Sequence, residues 1–454
     1  MKYATSKVVR RISVMALAVA AGLCAIKSVG SSEQRKRTAV TISESDLLET
    51  KYKQDVAGMR DHAWHVFAGL IQPADPNEPD SPAIWDTWEN KEEVFGQNAV
   101  ARTVRNRKRT LDLPIEVLAS IFSNNKDEKA AVKEAANYFR KRKEGQEVLF
   151  NPSAAVHVRQ YTLYNPVSMK NRSETLKNLN SPISETSIVP FPSDSIVLKA
   201  SWLKVGPTSP EVLSMWRPAN QRIRGCEDGC MTDMLVKLAE PGEPCNLPLT
   251  DSSPILSSCF YSAPSETEGY RLILFGLHVA TKEIQDWTWS TFWWQAEPDS
   301  GPHKEGRLDV QTIRGHWRNY VMDTTLSMVT PEGKSRHAMP HSIQRCESDN
   351  SMTAKICFNP YIELGMKNGE LSNCANCHRQ ATFPTMDPDP RGVSQRGYLS
   401  SDDSCFGART GGLEMQRNSV MKVDYMWSLS TIDPNKPLGR FIDAVKLQLV
   451  LDSK

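Results

Sequence analysis

The chain has 454 residues, and its 55 Lys and Arg stand against 53 Asp and Glu, a formal charge of +2. Five of those basic groups (Lys2, Lys7, Arg10, Arg11, Lys27) fall in the first thirty residues, which hold no acid, so the rest balances at 50 against 53, or −3. A nearly neutral body excludes a dedicated nucleic-acid binder, whose affinity comes from a basic surface meeting phosphates. A content of 39% hydrophobic and 24% charged residues likewise excludes a disordered chain or a multi-span membrane protein.

Residues 1–30 read as a secretory signal. Met1–Arg11 is a basic opening, Ile12–Ile26 is apolar, and Ser28-Val29-Gly30 offers small residues for cleavage. The apolar run falls short of the roughly twenty residues that span a bilayer. Export to a bacterial periplasm is therefore expected, with membrane attachment only if the segment stays uncleaved. Cys24 follows Leu23, where a lipid-attachment site has a small residue, and Arg10-Arg11 lacks the apolar pair of a twin-arginine signal.

Three regions follow, at 31–150, 151–345 and 346–454. The first reads as helical. Asp46–Leu70 has helical apolar spacing through Trp64, Val66, Phe67 and Leu70, and Glu89–Arg105 is a further helix candidate. Lys126–Arg142 is the clearest helix, with Ala131, Val132, Ala135 and Phe139 on one side and charges on the other. The second region turns to β structure. Ser195–Val205, Tyr270–Ala280 and Asp286–Gln295 are rich in β-branched and aromatic residues at strand lengths. Thr281–Gln285 is a short connection, so the last two segments are expected to form an antiparallel hairpin, with Trp287, Trp289, Thr291 and Trp293 on one face. The third region is loop-rich until a closing helix at Leu438–Leu451. The expected class is α+β: a helical amino-terminal part, a central antiparallel sheet and a loop-rich carboxyl-terminal segment.

That last segment carries the chemistry. In Cys374-Ala375-Asn376-Cys377-His378, two thiols three residues apart are spaced to add to the two vinyl groups of a haem, and the adjacent imidazole falls beneath the iron. A redox dithiol reading wants the pair to open a helix after a strand, and Glu370–Asn373 is not strand-like; a zinc reading wants a second ligand pair. Covalent haem attachment takes place outside the cytoplasm, in agreement with an exported chain.

The stretch Ser372–Pro384 (SNCANCHRQATFP) resembles bacterial exported cytochrome c family proteins with a single attachment site. The resemblance implies one covalent haem c, with Cys374 and Cys377 as thioether anchors and His378 as the proximal ligand of the haem iron. Phe275–Trp294 (FGLHVATKEIQDWTWSTFWW) more loosely resembles a recurring segment of exported haem proteins, from which only His278 is carried over.

The sixth iron position separates electron transfer from catalysis. Met415 and Met421 lie downstream of the motif, where small cytochromes place a methionine; Met386 and Met426 are lesser candidates. His278, inside an apolar strand, is the rival, either as a ligand or as a distal acid–base residue, and a satisfied core histidine is the plain alternative. A Met among aromatics is equally a core filler. The tryptophans invite a haem wall or electron relay against a simple aromatic core. His62 and His65 are spaced i, i+3 and suit a metal pair or an exposed helix face. His337 and His341 are separated by a helix-breaking Pro340, and His157, His303 and His316 have no legible partner. Arg102–Arg109 suits docking of an acidic redox partner or a solvated face.

Of the other cysteines, Cys226, Cys230, Cys245 and Cys259 are expected to make two disulfides, with a four-thiolate zinc site as the alternative, and Cys346–Cys357 a third bridge, with Cys405 left over. The sequence thus anticipates a periplasmic c-type cytochrome passing electrons to a partner protein, or alternatively a peroxidase- or oxygenase-like haem enzyme with an open distal iron and a small-molecule substrate.

Overall fold

The computed structural model describes residues 56–96, 109–178, 188–217, 230–330, 353–362, 374–378, 381–383, 421–430 and 437–451, with short gaps inside several of these stretches. Residues 1–30, read above as a secretory signal, lie outside them. Among the described residues, no helix is long and apolar enough to cross a membrane.

In chain order the strands are β1 (Glu89–Asn90), β2 (Glu144–Phe150), β3 (Ile196–Val205), β4 (Glu211–Arg217), β5 (Cys230–Lys237), β6 (Ile255–Leu256), β7 (Ser262–Pro264), β8 (Arg271–Thr281), β9 (Thr288–Trp294), β10 (Tyr320–Thr325), β11 (Val329–Thr330), β12 (Thr353–Ala354), β13 (Thr382–Phe383) and β14 (Met421–Lys422). The helices are α1 (Val56–Leu70), α2 (Lys91–Phe95), α3 (Glu128–Arg142), α4 (Pro152–Gln160), α5 (Pro166–Asn178), α6 (Cys374–His378) and α7 (Pro437–Leu451). The fold is α+β, around a seven-stranded sheet in the order β1-β2-β3-β8-β9-β10, with β7 beside β8. Every pairing in it is antiparallel.

Residues alternate between the faces of a strand, so a strand apolar at every position must be covered on both sides. β9 is buried throughout and β8 beyond Arg271, which makes them the centre of the molecule. On one face Leu198, Ala200 and Trp202 of β3, Leu277 and Val279 of β8 and Phe292 and Trp294 of β9 receive α1. There Phe67 stacks on Phe292 with ring centroids 4.3 Å apart and planes 19° apart. On the other face Val197, Ala280 and Trp289 meet α4 and the carboxyl-terminal pieces at Cys374–Ala375 and Met421–Leu429. A separate cluster packs Ala131, Ala135 and Phe139 of α3 against Phe441, Ile442 and Val445 of α7.

Local chemistry explains several boundaries. The Asp127 carboxylate accepts the backbone N–H groups of Lys129 and Ala130 to start α3, and Arg140, Lys141 and Arg142 face the negative end of its dipole. Asn90 and Glu93 cap α2 reciprocally, and Asn151 with Pro152 starts α4. The expected helix over Glu89–Arg105 is thereby shortened: β1 occupies Glu89–Asn90, α2 ends at Phe95, and 97–105 lie outside the described residues.

The strand pair expected at Tyr270–Gln295 is present as β8 and β9, in register from Gly276↔Trp293 to Thr281↔Thr288. Trp287 does not belong to it. It precedes β9 in a left-handed conformation, with φ of 63°.

Candidate functional site

The Cys374–His378 pentapeptide forms the five-residue helix α6, lying against the inner face of β9. Its exit is clipped down by backbone bonds. Ala381 N–H donates to His378 O at 3.0 Å, Val423 N–H to Ala381 O at 3.3 Å, and Thr382–Phe383 pair with Met421–Lys422. The motif and the segment after Met421 therefore form one unit.

That unit determines how His378 is held. Its Nδ1 lies 2.8 Å from the carbonyl oxygen of Tyr425. A carbonyl only accepts, so Nδ1 carries the proton and the lone pair of the neutral ring sits on Nε2. The carbonyl is presented by an unusual turn in which Asp424 and Tyr425 both take left-handed conformations, with φ of 47° and 68°. Asp424 tethers the turn to the sheet. Its carboxylate accepts from Lys282 Nζ at 2.8 Å, from Trp287 Nε1 at 3.3 Å and from the backbone N–H of Phe191 at 3.0 Å.

Above the motif the sheet presents His278 and Trp289. The Trp289 ring lies 4.1 Å from that of His378, centroid to centroid, and His278 lies 5.4 Å from His378 with planes 24° apart. His278 is 6% exposed, and its Nδ1 has no hydrogen-bond partner among the described residues. Burial, with smaller contributions from His378 and Lys199, holds its pKa well below that of an ordinary histidine, so the ring is neutral. A neutral imidazole with an unsatisfied buried nitrogen departs from the well-paired core histidine that burial normally demands.

Of the remaining candidates, Met421 is fully buried in β14, within the same cluster as Cys374, and Met426 is buried beside it. Cys377 follows Cys374 in α6, but its side chain lies outside the described residues, as do Met415 and Met386. Among the described residues no group of three or more His, Cys, Asp or Glu is gathered as a bare-ion site. A haem needs none, since its porphyrin supplies four of the iron's ligands. The donor set fits such a group: an i, i+3 pair of cysteines, a following imidazole with its lone pair on Nε2, and a second neutral imidazole close by.

Several expectations are corrected. Cys245 and Cys259 form a disulfide, which rules out the four-thiolate zinc alternative; Cys226 and the Cys230 side chain lie outside the described residues. Cys357, expected to bridge to Cys346, is a thiol whose sulfur lies 3.6 Å from Cys374 Sγ. His62 and His65 do not act as a pair. His62 Nε2 lies 2.6 Å from Glu283 and His65 Nδ1 lies 2.7 Å from Asp61 O, because α1 turns only the first toward the core. Arg109 is buried between Asp86 and Glu147 rather than solvated, while 102–108 lie outside the described residues. Trp289, Thr291 and Trp293 share one face of β9 as expected, without Trp287; Trp289 meets His378 and Trp293 packs edge-on to His303 at 4.7 Å. His157 bonds Val189 O at 3.0 Å, and burial lowers the pKa of His316 to about 4. His337 and His341 lie outside the described residues.

Sequence reading missed the Asp424–Tyr425 turn altogether. Asp and Tyr give no glycine-like signal for positive φ, and Lys282 gives no hint that it reaches a residue 142 positions away. No family model, curated protein or solved structure matches this chain.

Proposed function

We propose that this chain is an exported c-type cytochrome that binds one covalent haem through Cys374, Cys377 and His378 and transfers electrons to a partner protein. The observation that carries the reading is the hydrogen bond from His378 Nδ1 to Tyr425 O, which orients the imidazole and leaves Nε2 as its donor atom. Bound at such a position, a haem supplies a one-electron iron couple. The chain's own groups hold and tune it. Tyr425 O keeps the tautomer, Asp424 and Lys282 keep the turn in place, and Trp289 covers the imidazole.

His278 is the favoured sixth ligand, ahead of Met421 and Met415. What supports it is its neutral state, its unsatisfied Nδ1 and its position 5.4 Å from His378. With His378 and His278 both as its ligands, the iron would be low-spin, as suits an electron carrier. The same unsatisfied nitrogen favours a second reading, in which His278 stays unligated as a distal acid–base group of a haem enzyme. Location in the periplasm draws support from the Cys245–Cys259 disulfide, a bond that persists in oxidising compartments.

The test is expression of the full chain in a periplasm that contains cytochrome-assembly machinery, followed by haem staining of the denatured protein. A stained band that survives denaturation, and is lost in the double variant Cys374→Ser/Cys377→Ser, is the expected result. An unstained wild-type band contradicts the proposal.

A further inference from the structure

Cys357 is not part of the pentapeptide, yet it stands beside the first cysteine of it. Its Sγ lies 3.6 Å from Cys374 Sγ, and Cys374 Sγ lies 3.3 Å from Cys357 O. Both residues are buried, at 0% and 4% exposure, in the cluster that contains Trp289 and Met421. Neither is positioned loosely. Two residues beyond Cys357, the Asn359 amide donates to Thr291 Oγ1 at 2.7 Å and to Phe292 O at 3.2 Å, which ties that segment to β9. Cys374 opens α6, which packs against the same strand. The sheet thus brings together two thiols 17 positions apart in sequence.

From this geometry we infer that Cys357 and Cys374 form a disulfide in the haem-free protein, and that this bond competes with haem for Cys374. The competition, though not the disulfide, rests on the haem reading above. In an oxidising compartment, a Cys374 thiolate attacks a small-molecule or protein disulfide and expels one thiol. The Cys357 thiolate then attacks the mixed disulfide at Cys374 and expels the second. Two protein thiols are oxidised, one external disulfide is reduced to two thiols, and the two protons leave with them.

Buried thiols exchange slowly, so the bond forms as docking of α6 brings the two sulfurs together, before packing against β9 is complete and shields it from reductants. Thioether formation needs the Cys374 sulfur reduced. Haem attachment must accordingly precede docking of α6, or wait for a reductant that reaches the bond. Cys357 in this way sets the order of oxidation, reduction and haem addition at a motif to which it does not itself belong.

The full chain exported without cytochrome-assembly machinery is quenched in acid, alkylated and digested without reduction. The expected product is a peptide joining Cys357 to Cys374 that separates on reduction. Cys374 joined to Cys377, or Cys374 alkylated, overturns the inference. In cells with the machinery, Cys357→Ser leaves the pentapeptide intact and raises the haem-loaded fraction about two-fold or more over wild type. Equal loading overturns the competition. Should neither protein take haem while the Cys357–Cys374 peptide is present, the disulfide stands and the haem reading falls. Peptide mapping of the wild type decides the disulfide even if the serine variant folds poorly.

Discussion

Lys282 Nζ lies 2.8 Å from Asp424 Oδ1, both side chains 8% exposed, and this ion pair joins the end of β8 to the turn that holds His378. Trp287 adds a second tie, with its indole N–H on the same carboxylate oxygen and the Lys282 ammonium 5.3 Å from its ring centroid. Removing one member of such a pair leaves the other charge buried without compensation. Asp424→Ala is expected to lower stability by about 3–5 kcal/mol. Asp424→Asn keeps an oxygen acceptor and tolerates the left-handed backbone, so it costs less. Urea unfolding of both variants checks the order, and equal losses would mean that the lost charge alone matters and the retained oxygen acceptor contributes nothing.

A second buried network includes none of the residues of the motif. Arg109 donates to Asp86 and, at 3.0 Å, to Glu147, and the Tyr261 hydroxyl donates to Asp86 at 2.6 Å. Arg109 also lies 5.2 Å from the Trp202 ring centroid, so its aromatic contact and its two carboxylates restrain it together. Arg109→Ala strands two buried carboxylates and is expected to cost about 3–5 kcal/mol. Tyr261→Phe removes a hydrogen bond to a charged acceptor, about 1.5–3 kcal/mol, while keeping the stacking on Trp317. Unfolding by denaturant measures both, and neither is expected to alter haem content.

Glu144, at the start of β2, gives a pH dependence. Burial raises its pKa from 4.5 to about 7 against the opposing pull of Arg142, while Asp233 adds to the rise. The folded state therefore binds a proton that the unfolded state has lost. Stability is full below about pH 4.5 and falls as pH rises through about 7, by roughly 3 kcal/mol at most, since one pKa unit is about 1.4 kcal/mol. Glu144→Gln resembles the protonated form and is expected to flatten this slope. Unfolding free energies between pH 4 and 8 for the two proteins test it, and parallel curves would contradict the assignment.

How legible all this was in the sequence depended on range. Lys126–Arg142 announced itself because an Asp cap, one apolar side and three terminal cations all lie within seventeen residues. The hairpin at Tyr270–Gln295 was equally plain, since aromatic density and a short connection are local signals. α4 went unread because it is only nine residues long, and α5 because its apolar positions are few and its helical pattern is weak. β2 is short and carries two glutamates and a glycine, yet it pairs along its full length with β3. The site shows the same division. Cys374, Cys377 and His378 stand out by spacing alone, and His278 was suspected from its apolar strand. Tyr425 O, Lys282 and Cys357 reach the motif only through tertiary structure, and no spacing rule connects them.

The central claim is that Cys374, Cys377 and His378 would hold a covalent haem, with His278 as the favoured candidate for the remaining iron ligand. It is tested most directly by visible spectra of the periplasm-matured protein, oxidised, dithionite-reduced and reduced under carbon monoxide, for wild type and His278→Ala. The account predicts sharp reduced α and β bands that carbon monoxide leaves unchanged in wild type, and a high-spin, carbon monoxide-sensitive spectrum in the variant. A wild-type spectrum that already responds to carbon monoxide would turn the account toward the haem enzyme, and a protein with no haem bands at all would contradict it.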